Sequence, residues 1–260
     1  MLSNAWPSVI WHLYDYYLRP GGGFFGAQTA CQPVHIQYSY DDGSIWIVNS
    51  LLQNFSGRAR VQVYSFHLRR LFQKTLEVSA PANRSVRVFT LPALSNLSPV
   101  YFVRLRLTQG RSEAGGAPRV ISRNFYWLAR HPDTYNWAQS TWYYTPIVHY
   151  ANFAELQSLP PVRLRLSATG DRRGGVETDA VRLRNPSGSL AFQVHLVVLR
   201  GDHGGDAEPA IWQDNYLELM PGESRTVHVR YPVAVLHGAR PVIRASGWNI
   251  APEVTRVVAK

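Results

Sequence analysis

At 260 residues the chain has room for about two domains of ordinary size. Its formal charge of +10 comes from 27 Lys and Arg against 17 Asp and Glu. Only Lys74 and Lys260 are lysines, and the arginines alternate with apolar residues, as in Arg163-Leu164-Arg165-Leu166 and Val181-Arg182-Leu183-Arg184. That is the pattern of a strand's solvent face, not of a phosphate-binding cluster, so nucleic acid is not an expected partner. Arginine used in place of lysine, or an acidic region outside the chain, explains the imbalance equally well. The single cysteine, Cys31, excludes an internal disulfide, and no Cys/His pair has zinc-finger spacing. No run of about 18 apolar residues exists to span a membrane, and residues 1–20 lack the layout of a signal peptide. Neither a metal, a cofactor nor a membrane partner is expected.

In chain order, residues 1–30 come first. Val9-Ile10-Trp11-His12-Leu13 has a short buried-strand pattern, Arg19 to Gly23 reads as a loop, and Phe24 to Cys31 predicts one or two helical turns. So many aromatics in so short a segment require a covering surface that the segment itself cannot supply. From 31 to 130 the period is 2, through Val34–Tyr38, Ile45–Val48, Val61–Tyr64, a run near Thr75, Val86–Phe89, Tyr101–Leu107 and Val120–Trp127. About seven strands in about a hundred residues is the size of an immunoglobulin-like sandwich. Asp41-Asp42-Gly43 supplies the first hairpin turn. Residues 131–161 have no clear period and are rich in Trp, Tyr and Pro, which predicts an ordered linker packed down on a neighbouring surface. A second sandwich is predicted over 162–260, through Val176–Arg184, Leu190–Arg200, Ile211–Leu219, Ser224–Tyr231 and Pro241–Trp248, with Pro221-Gly222 forming a type II turn.

Residues able to carry chemistry are few. Glycoside hydrolysis needs two carboxylates about 5 to 10 Å apart, and the first thirty residues hold only Asp15. Asp214 and Glu218 are expected on one face of one strand. Asp202, Asp206 and Glu208 crowd a Gly-rich loop without the ligand spacing of a calcium loop, which reads as a solvated loop. HExxH, GxSxG and P-loop motifs are absent. Asn4, Trp6, Trp11, Asp15 and Tyr16 carry the groups that stack on and bond to sugars, although composition alone favours a buried core for the aromatics.

The segment Met1–Tyr17 resembles the last barrel strand of glycoside hydrolase family 2 exo-β-D-glucosaminidases. The likeness continues through Phe25-Gly26-Ala27, Pro33–Ser39, Ser122–Leu128, Ser140–Pro146, Trp212–Tyr216, Pro221–Ser224 and Ser246–Asn249, and extends to plant endo-β-mannosidases. It implies a mainly β fragment, two tandem immunoglobulin-like β-sandwiches preceded by the last strand of a (β/α)8 barrel. The parts would be a barrel remnant over 1–30, a sandwich over 31–130, the aromatic linker over 131–161 and a terminal sandwich over 162–260. The implied parent removes β-1,4-linked glucosamine from chitosan oligomers with two glutamates on earlier barrel strands. No residue here matches them, the first Glu being Glu77, so no catalytic residue is expected and the chain alone should be inactive.

By the same resemblance Trp11 is a sugar-contacting floor, with Asn4, Asp15 and Tyr16 beside it, and the partner is a β-linked amino-sugar oligosaccharide held mainly by the absent barrel. Met1 reads as an internal methionine of a parent found outside the cell or in a periplasm. A surface of net +10 repels a polycation, so attraction is expected from the parent's acidic pocket. The alternatives are a free-standing carbohydrate-binding module and a β-mannosidase-type parent.

Overall fold

The computed structural model describes residues 13–110 and 118–259. They form two compact units, one of Gln28–Ser158, the other of the residues up to Ala27 together with those from Leu159 onward.

In the first unit, β1 (Val34–Tyr38), β2 (Ser44–Asn49), β3 (Phe55–Ser65), β4 (Arg70–Ala80), β5 (Arg84–Thr90), β6 (Val100–Gln109) and β7 (Arg119–Ala129) make two antiparallel sheets, ordered β1-β2-β5 and β4-β3-β6-β7. Alternate residues point inward, so Ile36, Ile45, Ile47, Val61, Val63, Leu105 and Leu107 are buried in one core. Gly43 takes a φ of 69° in the β1–β2 turn, a value that a residue without Cβ accepts readily. The edge strands β1 and β7 lie in different sheets and are joined by side chains. The Ile36 N–H donates to Ser122 Oγ at 3.3 Å, Asn124 Nδ2 donates to the Ile36 carbonyl at 2.8 Å, and the Tyr38 N–H donates to the Tyr126 hydroxyl at 3.1 Å. These side chains satisfy backbone groups on an edge strand, which would otherwise be costly to bury.

After β7 comes a short hairpin, β8 (Thr134–Tyr135) paired with β9 (Ile147–His149). The backbone of 131–161 is structured, with 3-10 turns at Trp137–Gln139 and Ala154–Ser158. Among the described residues its rings Trp137, Trp142, Tyr143, Tyr144 and Tyr150 are exposed. The hairpin projects them, and no surface among the described residues covers them.

The second unit contains β10 (Arg165–Arg173), β11 (Val176–Arg184), β12 (Ala191–Arg200), β13 (Ile211–Trp212), β14 (Leu217–Leu219), β15 (Ser224–Pro232), β16 (Pro241–Ser246) and β17 (Glu253–Ala259). They run in the order β13-β15-β11-β10-β17-β16-β12-β14. One strand joins the two halves: β17 pairs antiparallel with β16 through residues 253–256 and parallel with β10 through 257–259. The core holds Val181, Leu183, Leu196, Val198, Trp212, Val229 and Ile243. The Pro221-Gly222 turn is closed by the Glu223 N–H on the Met220 carbonyl at 3.0 Å, with Gly222 at φ 74°. Just before and on β10, and on β11, Arg163, Arg165, Arg182 and Arg184 are exposed while Leu164, Val181 and Leu183 are buried, as the alternation requires.

Ile211–Leu219 is two short strands, not one. Between them Asn215 is 3% exposed, and it accepts from the Leu196 N–H and donates to the Leu196 carbonyl, at 2.8 and 2.9 Å. Asp214 and Glu218 consequently do not share a strand face. Asp214 pairs with Arg225, while Glu218 accepts from Gln193 Nε2 at 3.3 Å.

Candidate functional site

In the second unit, residues 13–21 form one wall of an open cleft of about 350 Å3, whose other wall is the sandwich. Tyr14 bridges to Pro20, and the Gly21 N–H reaches the Leu13 carbonyl at 3.2 Å, so the segment doubles back as a tight loop. Asp15 holds that loop. One carboxylate oxygen accepts from the Tyr17 and Arg19 N–H groups at 2.8 and 2.9 Å, and the other faces Arg19 Nε at 3.1 Å. Leu18 takes a φ of 63° within this turn, a strained value held in place by those bonds. Helix α1 (Gly22–Ala30) follows and buries Phe25 in the sandwich core, where its ring centroid lies 6.0 Å from that of Tyr216.

Across the cleft, Arg19 Nη1 lies 3.0 Å from Asp206 Oδ2, and Arg244 Nη2 lies 3.4 Å from Asp206 Oδ1. The chain Asp15–Arg19–Asp206–Arg244 therefore alternates in sign. Glu208 stands beside it, its carboxyl pushed up to about 7 by burial, with Asp206 and Asp15 adding to the rise and the Ala210 N–H and Arg19 opposing it. The ring of His195 stacks on that of Tyr216 at 4.6 Å. Burial first, then Arg244 and Arg19, press its pKa down, so it stays neutral at pH 7. Every described aspartate of the cleft is bound to a guanidinium, which suits a clamp between the loop and the sandwich better than acid and base chemistry.

Of the residues expected to touch sugar, Asp15 lines this cleft with its carboxylate engaged as above. Tyr16 is exposed, edge-on to Tyr17 at 5.1 Å, and is not part of the cleft wall. Asn4 and Trp11 lie outside the described residues. Asp202, from the Gly-rich loop, binds Arg256 at 2.6 Å while Asp206 binds Arg19 and Arg244, so the loop's aspartates serve different partners. Sequence reading missed Arg19, His195 and Arg244, since partners 187 positions apart leave no local signal.

The residues that carried the resemblance act here as fasteners. Asn249 Oδ1 accepts from the Phe192 N–H at 3.0 Å, and its Nδ2 donates to the carbonyls of Pro160 and Leu190, both at 2.7 Å. Glu223 caps its own turn by accepting from the Met220 N–H at 3.0 Å.

Residues 142–250 match the family model of the exo-beta-D-glucosaminidase Ig-fold domain, and residues 42–131 that of the mannosidase Ig/CBM-like domain. An exo-beta-D-glucosaminidase of Streptomyces avermitilis is 39% identical over 97% of this chain and 28% of its own length. The crystal structure of the Amycolatopsis orientalis exo-chitosanase CsxA superposes with a TM-score of 0.91 at 34% identity, over 99% of this chain and 30% of that one. Nearly the whole chain is therefore similar to the C-terminal Ig-like portion of exo-β-D-glucosaminidases. It spans less than a third of the length of these relatives. A mannosylglycoprotein endo-beta-mannosidase of Lilium longiflorum is also similar, 26% identical over 96% of this chain and 30% of its own. The two Ig-like domains expected from the sequence thus each match a family model of an Ig-like domain.

Proposed function

We propose that this chain is the accessory portion of a family 2 glycoside hydrolase acting on β-1,4-linked glucosamine in chitosan oligomers, and that it lacks both catalytic glutamates and is inactive alone. The observation that carries this reading is the match over nearly the whole chain to proteins named exo-β-D-glucosaminidases, with the terminal domain matching a model named for that activity. A mannosidase-type parent is the weaker reading, because the mannosidase-named model covers only the first sandwich.

In this reading residues 1–30 are the remnant of the barrel, its last strand and loop, with Trp11 a floor for the bound sugar and Asn4, Asp15 and Tyr16 near it. Loop 13–21 then leaves the barrel mouth, where barrel enzymes gather their substrate groups, and the Arg19–Asp206 pair fixes that loop to the terminal sandwich. The accessory portion would thus hold one wall of the pocket still, a positioning contribution of the kind that 1 Å of misplacement destroys. The purified chain should release no glucosamine from chitosan oligomers beyond the buffer rate. Turnover well above buffer contradicts the assignment.

A further inference from the structure

The hairpin of residues 134–150 carries an exposed aromatic surface that the clamp and the two sandwiches leave unused. We propose that it is a binding site for a chain of cationic amino sugars, with Trp142 and Tyr143 at its tip as the stacking platform. The preference for an amino sugar rests on the functional reading above, whereas the stacking site rests on the hairpin itself.

Two features carry the proposal. The first is rigid display. Trp142 is 94% exposed, yet the turn beneath it is fully tied: the Thr141 N–H donates to the Tyr144 carbonyl at 2.7 Å, the Tyr144 N–H donates to Thr141 Oγ1 at 3.1 Å, and Ser140 Oγ lies 2.7 Å from Thr145 Oγ1. Trp142 and Tyr143 rings meet at 4.9 Å, and Tyr135 and Trp137 rings at 5.4 Å, giving two ring pairs on one short hairpin. Rings held by a tied turn lose little freedom on binding, and sugar C–H faces stack on them.

The second is charge. No Lys or Arg occurs between Arg130 and Arg163, and the formal charges there are Asp133 and Glu155, in a chain that is otherwise strongly basic. The hairpin therefore adds no formal positive charge of its own to repel a polycation, and ammonium groups are attracted to the faces of Trp and Tyr. A polyanion or a neutral glycan would gain nothing from this local charge.

The test is calorimetric titration of the full chain with a chitosan hexamer, and with mannan and cellulose hexamers as neutral probes. Chitosan oligomer should bind, with the neutral glycans weaker, and Trp142→Ala should reduce affinity about tenfold while Trp142→Phe, which keeps a ring, retains most of it. Unchanged circular dichroism would show that both variants are folded. Absence of heat with all three glycans overturns the site, as does equal binding by Trp142→Ala or equal affinity for the neutral glycans. A self-associating chain that Trp142→Ala renders monomeric also overturns it, since the rings would then be a protein interface. Each of these failures leaves the assignment to a hydrolase standing, because that assignment is tested by turnover and by activity in a complete enzyme.

Discussion

The cleft beside loop 13–21 and the hairpin of 134–150 are opposite kinds of surface. In the cleft, Asp15, Arg19, Asp206 and Arg244 alternate in sign and satisfy one another. On the hairpin, polar groups are tied within the turn while the rings of Trp137, Trp142 and Tyr143 stand in solvent. A chain that closes its charges inward and leaves its aromatics outward keeps the first region for its own architecture and offers the second to a partner.

Substitutions can break that contrast, beginning with the cleft wall. Asn215→Ala removes both bonds to the Leu196 backbone at a buried position, leaving an N–H and a carbonyl without partners. Denaturant unfolding should show a loss of about 3 kcal/mol. A loss below about 1 kcal/mol would mean that the wall does not depend on this residue.

The next effect concerns Asp179, a buried carboxylate on the core face of β11. It accepts the Tyr231 hydroxyl at 2.7 Å and is pushed up to about 6, chiefly by burial. Its folded pKa lies above the unfolded value, so the folded state keeps a proton that the unfolded chain has released. The stability this contributes is complete below about pH 4 and is lost as pH rises toward 6. Asp179→Asn should therefore stabilise the protein by about 2 kcal/mol at pH 7.5 and leave it unchanged near pH 4. Equal effects at both pH values would refute the buried-proton account. Smallest of all, Trp142→Ala should shift stability by less than about 0.5 kcal/mol, since an exposed ring contributes little to the fold.

Strand periodicity and turn chemistry were legible in the sequence. The alternation around Ile36, Ile47 and Val63 named inward residues, and Asp42-Gly43 and Pro221-Gly222 fall in turns with positive φ at glycine. Long-range decisions were not legible. Nothing local indicates that loop 13–21 pairs with Asp206, or that β17 changes partners at residue 257. Glu177 and Asp179 occupy core-facing positions of β11 where alternation alone calls for apolar residues. The exposure of Trp142 among the described residues was not legible, because composition reports how apolar a segment is, not what lies against it.

The most direct test of the central claim is a chimera in which this chain replaces the matching 30% of the Amycolatopsis orientalis exo-chitosanase. A soluble chimera that releases glucosamine from chitosan oligomers within about tenfold of the parent rate is the predicted result. A folded chimera with no activity, against an active parent in the same assay, would contradict it.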